Sequence, residues 1–396
     1  MELGWIDFST TDRNKILSVL DLLGEKGVLD ELGIASIRDA FSEYFFPGTS
    51  TVQTRAKYFL MTPYIFRDLE LNKDVDYTKL KLKFYNTEEN CAHIIMDKNP
   101  DEKGVIGKRA INNGKWVNRK PASIYWAGLR KYGIIRYKLS IDDCIKIIGS
   151  QKRKKRKNSA LGNSTDKSEG SSDDKFAGDN QSSHFINCPT YSKDWINELD
   201  IKLTYDEGQF LKNQIISTCE NSMLGYILKE DLYEVLSCDS FLNLDSIIHK
   251  FPQEIQKNYY KAVSFSEFVF ALRVIYNILI SDGKNENANE WFNKLNLKEY
   301  SQIDIDNIMD SFGIYNPKLK KFLNDSKNLM KNEDVDGLKK RIQDHEISLK
   351  GNRAKSQHIG EFDPQLWYGG EILNYRFHNA KNIIQDIYDS ENKGDD

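Results

Sequence analysis

This sequence predicts a mainly α-helical protein, built as two helical domains with a minor β component. Three observations carry that expectation. Apolar residues recur at three- and four-residue spacing along most of the chain, whereas strand-type alternation is scarce. Hydrophobic residues make up 39% of the 396 and aromatics 12%, enough to fill cores that a disordered chain would lack. One segment, residues 151–185, is too poor in large apolar side chains to offset the entropy of ordering itself. It reads as a basic, Ser-rich flexible linker. The expected parts are a basic N-terminal domain over 1–150, that linker over 151–185, and an acidic C-terminal domain over 186–396. Either flank is long enough to bury a core without disulfides or metals.

The elements follow in order. Ile16, Val19, Leu20 and Leu23 predict a helix over 11–23, capped by Thr10 or Thr11. Ile34, Ile37, Phe41, Tyr44 and Phe45 form the apolar stripe of a helix over 34–45, which Pro47-Gly48 ends. Ser50 to Gln53 has the S-x-x-Q form of a capping box. A helix is expected from there to Thr62, because Pro63 disfavours helix in the residue before it. A further helix covers 121–132, with Ile124, Tyr125 and Leu129 inward and Gly133 just past its end. Residues 134–139 alternate weakly and suggest a short strand. Ser140 then caps a helix over 141–148. Beyond the linker, helices are expected over 205–217, 222–236, 244–249, 264–280, 288–295, 303–312, 317–330, 334–349 and 371–388.

Charge is spread unevenly. Net charge is −3 overall, made of +3 over 1–150, +3 over 151–185 and −9 over 186–396. Opposite signs suit either separate partners or simple solvation of each half. Five cysteines stand with no C-x-x-C spacing, and the first ten residues lack the basic and apolar regions of a secretory signal. Reduced thiols and a cytoplasmic location are expected. The most apolar run, 265–280, carries Glu267 and Arg273 and is shorter than the ~20 residues that span a bilayer. It reads as a buried core helix, so no membrane is expected as a partner.

Three stretches resemble an uncharacterised bacterial family, a domain of unknown function. The first is Gly4-Trp5-Ile6-Asp7-Phe8-Ser9. The second is Asp30-Glu31-Leu32-Gly33-Ile34 with Ile37-Arg38-Asp39-Ala40-Phe41, Phe46-Pro47-Gly48-Thr49-Ser50 and Thr54-Arg55-Ala56-Lys57-Tyr58-Phe59. The third is Pro121-Ala122-Ser123-Ile124-Tyr125-Trp126-Ala127-Gly128-Leu129 with Tyr132-Gly133-Ile134. Weaker echoes are Leu349-Lys350-Gly351-Asn352-Arg353-Ala354, and Trp367 with Gly369-Gly370 and Tyr375-Arg376-Phe377. The resemblance implies a place in phage-defence gene clusters, near helicases and phospholipase-D-like nucleases. It implies no reaction.

Several groups of residues suit nucleic acid. The helix, turn and helix over 34–59 have the outline of a helix-turn-helix reader. Gln53, Arg55 and Lys57 would then reach base edges and Arg38 a phosphate. An ordinary helical hairpin has the same outline, and Arg55 can instead pair with Asp39 or Glu43. Arg119, Lys120, Arg130, Lys131 and Arg136 interleave with Tyr125, Trp126, Tyr132 and Tyr137. That pattern fits a winged-helix-like fragment or single-strand stacking, and equally a core helix with its cations in water. Six consecutive cations, 152–157, offer a salt-sensitive phosphate contact or merely a solvated flank. Lys350, Arg353 and Lys355 form another basic cluster. Glu371 and His378, two turns apart, could share a helix face.

Other chemistries find no motif. A phosphate loop, a dinucleotide fingerprint, a zinc ligand set and a G-x-S-x-G elbow are all missing. No cofactor and no metal is expected, and enzymatic activity is left undecided. The leading expectation is a non-catalytic component of a bacterial antiphage defence assembly, binding DNA or RNA and a helicase or nuclease partner. The alternatives are a divergent nuclease or effector enzyme and a scaffold that binds only protein.

Overall fold

A computed structural model describes residues 30–72, 74–161 and 185–392. The helix expected over 11–23 lies outside them. Among the described residues the protein is mainly helical and forms no β-strand. The helices are α1 (Ala35–Phe45), α2 (Tyr58–Leu71), α3 (Tyr77–Lys98), α4 (Lys108–Asn112), α5 (Pro121–Lys131), α6 (Ile141–Leu161), α7 (Trp195–Glu198), α8 (Tyr205–Thr218) and α9 (Met223–Lys229). They continue as α10 (Gln253–Ile280), α11 (Glu286–Phe292), α12 (Leu297–Tyr300), α13 (Ile305–Ser311), α14 (Pro317–Lys331), α15 (Val335–Lys350) and α16 (Phe377–Glu391). Short 3₁₀ turns fill 233–250 and 351–357.

The described residues group into two compact units. One joins those from Asp39 to Val263 with those from Leu373 onward; the other joins those up to Arg38 with Ser264–Ile372. The grouping does not follow the expected linker. Residues 151–161 of that segment are the last turns of α6, not a linker. The reason is local. Lys and Arg are good helix formers, and Asp142 and Asp143 favour the N-terminus of α6. Lys152 also donates to the carbonyls of Leu69 and Asn72 at the end of α2, and Arg153 to that of Val75.

In the first unit α2 lies against α3, α5 and α6. Ten of its fourteen residues are buried, as expected of a helix apolar on every side. It departs from expectation at both ends, starting at Tyr58 rather than near Ser50 and running through Pro63 to Leu71. Pro63 costs one backbone hydrogen bond, which burial of the surrounding aromatic and aliphatic side chains outweighs. The backbone before α2 is satisfied from elsewhere. The Tyr125 hydroxyl accepts from the amides of Thr54 (2.7 Å) and Arg55 (3.0 Å) and donates to the Arg55 carbonyl (2.8 Å). Asp386 accepts from the Ala56 amide at 2.7 Å.

The expected strand at 134–139 is a single bridge, Ile135 to Ile186. Helix α5 matches expectation, with Ile124, Tyr125 and Leu129 buried and Gly133 left-handed after its end. Ser140 caps α6 through the Asp143 amide. Helix α16 begins at Phe377, later than expected, and packs on α8. An aromatic cluster of Phe41, Phe45, Phe241 and Tyr375 fills another part of this core.

In the second unit α14 and α15 pair, with α12 and α13 beside α14. Phe322 stacks on His345 at 3.7 Å, with the rings 2° from parallel. Helix α10 passes from the first unit into the second at residue 264. With 28 residues it exceeds the apolar run seen in sequence, because Ile255, Tyr259 and Ala262 extend its buried side. By length and composition it could cross a bilayer, and 67% of its most apolar window is buried within the protein.

Candidate nucleic-acid interface

The expected helix-turn-helix reader does not form its reading face. Gln53, Arg55 and Lys57 precede α2 instead of lying along it, and all three turn inward. Gln53 is fully buried; its amide donates to the Gly48 carbonyl and accepts from the Ser50 amide, closing the turn between them. Arg55 holds Asp386 through Nε at 2.9 Å and Glu102 through Nη1 at 2.9 Å. Burial opposes its charge, but hydrogen bonds and charge from Asp386 and Glu102 prevail and raise its pKa. Asp39 and Glu43, its expected partners, instead face Arg376 at 3.8 and 3.7 Å. The Lys57 ammonium lies 2.7 Å from both carboxylate oxygens of Glu207. Glu207 also accepts from the Tyr64 hydroxyl and the Thr204 amide, completing the cap of α8.

The second unit treats Lys350 in the same way. Its ammonium is buried between Glu346 (3.2 Å) and Glu31 (3.5 Å). Glu346 accepts further from the Tyr276 hydroxyl and the amides of Lys355 and Ser356. Burial pushes that carboxyl up, yet hydrogen bonds from Ser356 and Tyr276 and the Lys350 charge hold it below its ordinary value. Lys355 reaches Glu31 at 3.3 Å. Arg353 is exposed and Arg38 half-buried. Glu371 precedes α16 and does not share that helix with His378.

Most of the remaining candidate cations are exposed residues of the first unit. Arg119, Arg130 and Lys131 are exposed, and Lys131 pairs with Glu43 at 3.3 Å. Lys120 lies 3.6 Å over the Tyr85 ring. Tyr125 and Tyr132, which sequence reading set beside these cations as stacking platforms, are fully buried. Arg153, Lys154 and Arg156 stand exposed on α6, which packs along α3. Burial lowers the pKa of Lys152; Glu70 and Asp74 oppose that shift, and Lys83 of α3 and Arg156 add to it.

Helix α3 is an element absent from the sequence expectations. Its signal is an Asp76 cap followed by Leu80, Phe84, Cys91 and Ile95 at helical spacing. The opposite face exposes Lys79, Lys83, Asn86 and Asn90 in steps of four, three and four. An open groove of about 440 Å³ runs along it. Among the described residues no group of three or more His, Cys, Asp or Glu is placed to hold a metal ion.

Among the described residues these features define a mainly helical protein with exposed cations on two packed helices, α3 and α6. Residues 1–157 match the model of a family described as a family of unknown function (DUF6361). That stretch covers the first three signatures and ends with the last residue of the basic run of α6; the echoes at 349–354 and 367–377 lie beyond it. No curated protein and no solved structure matches the chain.

Proposed function

We propose that this protein binds nucleic-acid backbone through the cationic surface of α3 and α6. It would do so as a non-catalytic component of a bacterial defence assembly that includes a helicase or a phospholipase-D-like nuclease. One observation carries the binding: the run 152–157 is helical and anchored, so Arg153, Lys154 and Arg156 stand exposed on a helix that packs along α3, where Lys79 and Lys83 are exposed as well. Cations held on a rigid face release phosphate counterions without first ordering a loop. The place in a defence assembly rests on the sequence resemblance.

Fluorescence anisotropy with labelled DNA and RNA, at about 50 and 200 mM salt, tests the binding. The expected result is affinity that collapses with salt and weakens in Lys154→Ala/Arg156→Ala. No binding at the lower salt sinks the reading. It would leave the protein-only scaffold, which a pull-down resistant to nuclease treatment would then support.

A further inference from the structure

We infer that the groove along α3 seats one unpaired nucleotide, so that the protein prefers single strands to duplex. The inference rests on the nucleic-acid reading above and names its substrate class. Lys79, Lys83, Asn86 and Asn90 follow one another along a single helix face, all exposed. At 1.5 Å rise per residue they span about 16 Å. The groove beside them has Leu82, which is 62% exposed, and Ile196 of α7 among its lining residues. A volume of about 440 Å³ is within the range of small-ligand sites.

The chemistry matches the parts of a nucleotide. Two ammonium groups at one end attract a phosphate. Two carboxamides at the other each offer a donor pair and an acceptor, the complement of a base edge. Leu82 and Ile196 give a base an apolar surface between them. Asp74 also lines the groove and can accept from an exocyclic amino group, while two lysines against one aspartate leave the groove positive. Duplex DNA ties up the Watson–Crick edges within its pairs, whereas an unpaired base presents them to the carboxamides. The groove also adjoins α6, since the Lys152 ammonium lies 3.5 Å from the carbonyl of Asp74, one of its lining residues. A strand seated in the groove can therefore continue onto Arg153 and Lys154.

The test uses the full chain and 12-nucleotide probes: single-stranded DNA and RNA, and the duplex of the same sequence. Single strands are expected to bind at least several-fold tighter than duplex. Asn86→Ala/Asn90→Ala should lower single-strand affinity roughly tenfold and leave duplex affinity and the salt slope unchanged. Equal binding of single strands and duplex, or Asn variants that bind single strands normally, overturns the inference while leaving backbone binding intact. Displacement of the probe by free AMP or CMP at a comparable concentration assigns the groove to free nucleotide and overturns the strand. Absence of all binding at low salt overturns both readings.

Discussion

Lys57 and Glu207 show how residue chemistry was redirected by packing. Their side chains are 6% and 8% exposed, so removing either leaves a charge in a dry site. Lys57→Ala is expected to cost about 3–5 kcal/mol, read as a lowered denaturant midpoint. The double change Lys57→Met/Glu207→Gln should recover part of that loss. If the single variant is as stable as the parent, the pair is not buried as described. Glu88 is a second case. One of its oxygens accepts from the Ala122 amide at 2.6 Å and the other has no protein partner. Burial pushes its carboxyl from 4.5 to about 7, opposed by that amide and by Lys120. The folded chain thus keeps the proton to higher pH than the unfolded chain. Between pH 4.5 and 7 its contribution makes stability fall as pH rises. Glu88→Gln should flatten that slope, gaining on the parent at pH 8 but not at pH 4.5. His345 slopes the other way, since burial lowers its imidazole from 6.5 to about 4. Its unfolded form takes up the proton first, so the second unit loses stability as pH falls from 6.5 to 4. His345→Gln should remove that limb from an acid titration of unfolding.

At the scale of elements, α6 carries cations with two distinct duties. Lys152 is half-buried and satisfies carbonyls at the end of α2, whereas Lys154 is exposed. Lys152→Ala is expected to cost about 1.5–3 kcal/mol, and Lys154→Ala less than ~0.5 kcal/mol; chemical denaturation distinguishes them. Nucleic-acid affinity should respond in the opposite order of severity per unit of stability lost. Helix α5 is positioned by Gly128. A Cβ there would lie 2.4 Å from the Gly48 carbonyl oxygen and 2.6 Å from the Phe59 ring. Gly128→Ala should therefore destabilise by about 1–3 kcal/mol, despite the better helix propensity of alanine. A measured gain in stability would show that the turn at Gly48 yields easily.

For the whole molecule, the expected binding is electrostatic and its salt slope counts the phosphates neutralised, about 0.9 per phosphate on duplex DNA. Lys154→Ala/Arg156→Ala should reduce that slope by about two, while Arg119→Ala and Arg130→Ala should leave it unchanged. A slope reduced by the latter pair instead would move the interface to α5. The net charge of −3 hides such a surface, since summed charge says nothing of where cations meet.

Periodicity alone determined that this chain is helical, and it located α1, α5 and much of the C-terminal series, because each helix shows its own apolar face along a few turns. Gly133 and Ser140 were legible for the same reason: their signals are local. Tertiary structure decided the rest. Nothing near Arg55 and Lys57 in the sequence announces Asp386 or Glu207, which lie 331 and 150 residues away, so cations that look free for phosphate are consumed inside the fold. The S-x-x-Q signal at Ser50 closes a turn instead of starting a helix: Gln53 takes the Ser50 amide, and the next amides, of Thr54 and Arg55, go to the distant Tyr125 hydroxyl. Conversely, the run at 152–157 looked like solvated linker until α6 was seen held against the end of α2. A charge becomes available for binding only when the fold leaves it without a buried partner, and that is settled by contacts far apart in the chain.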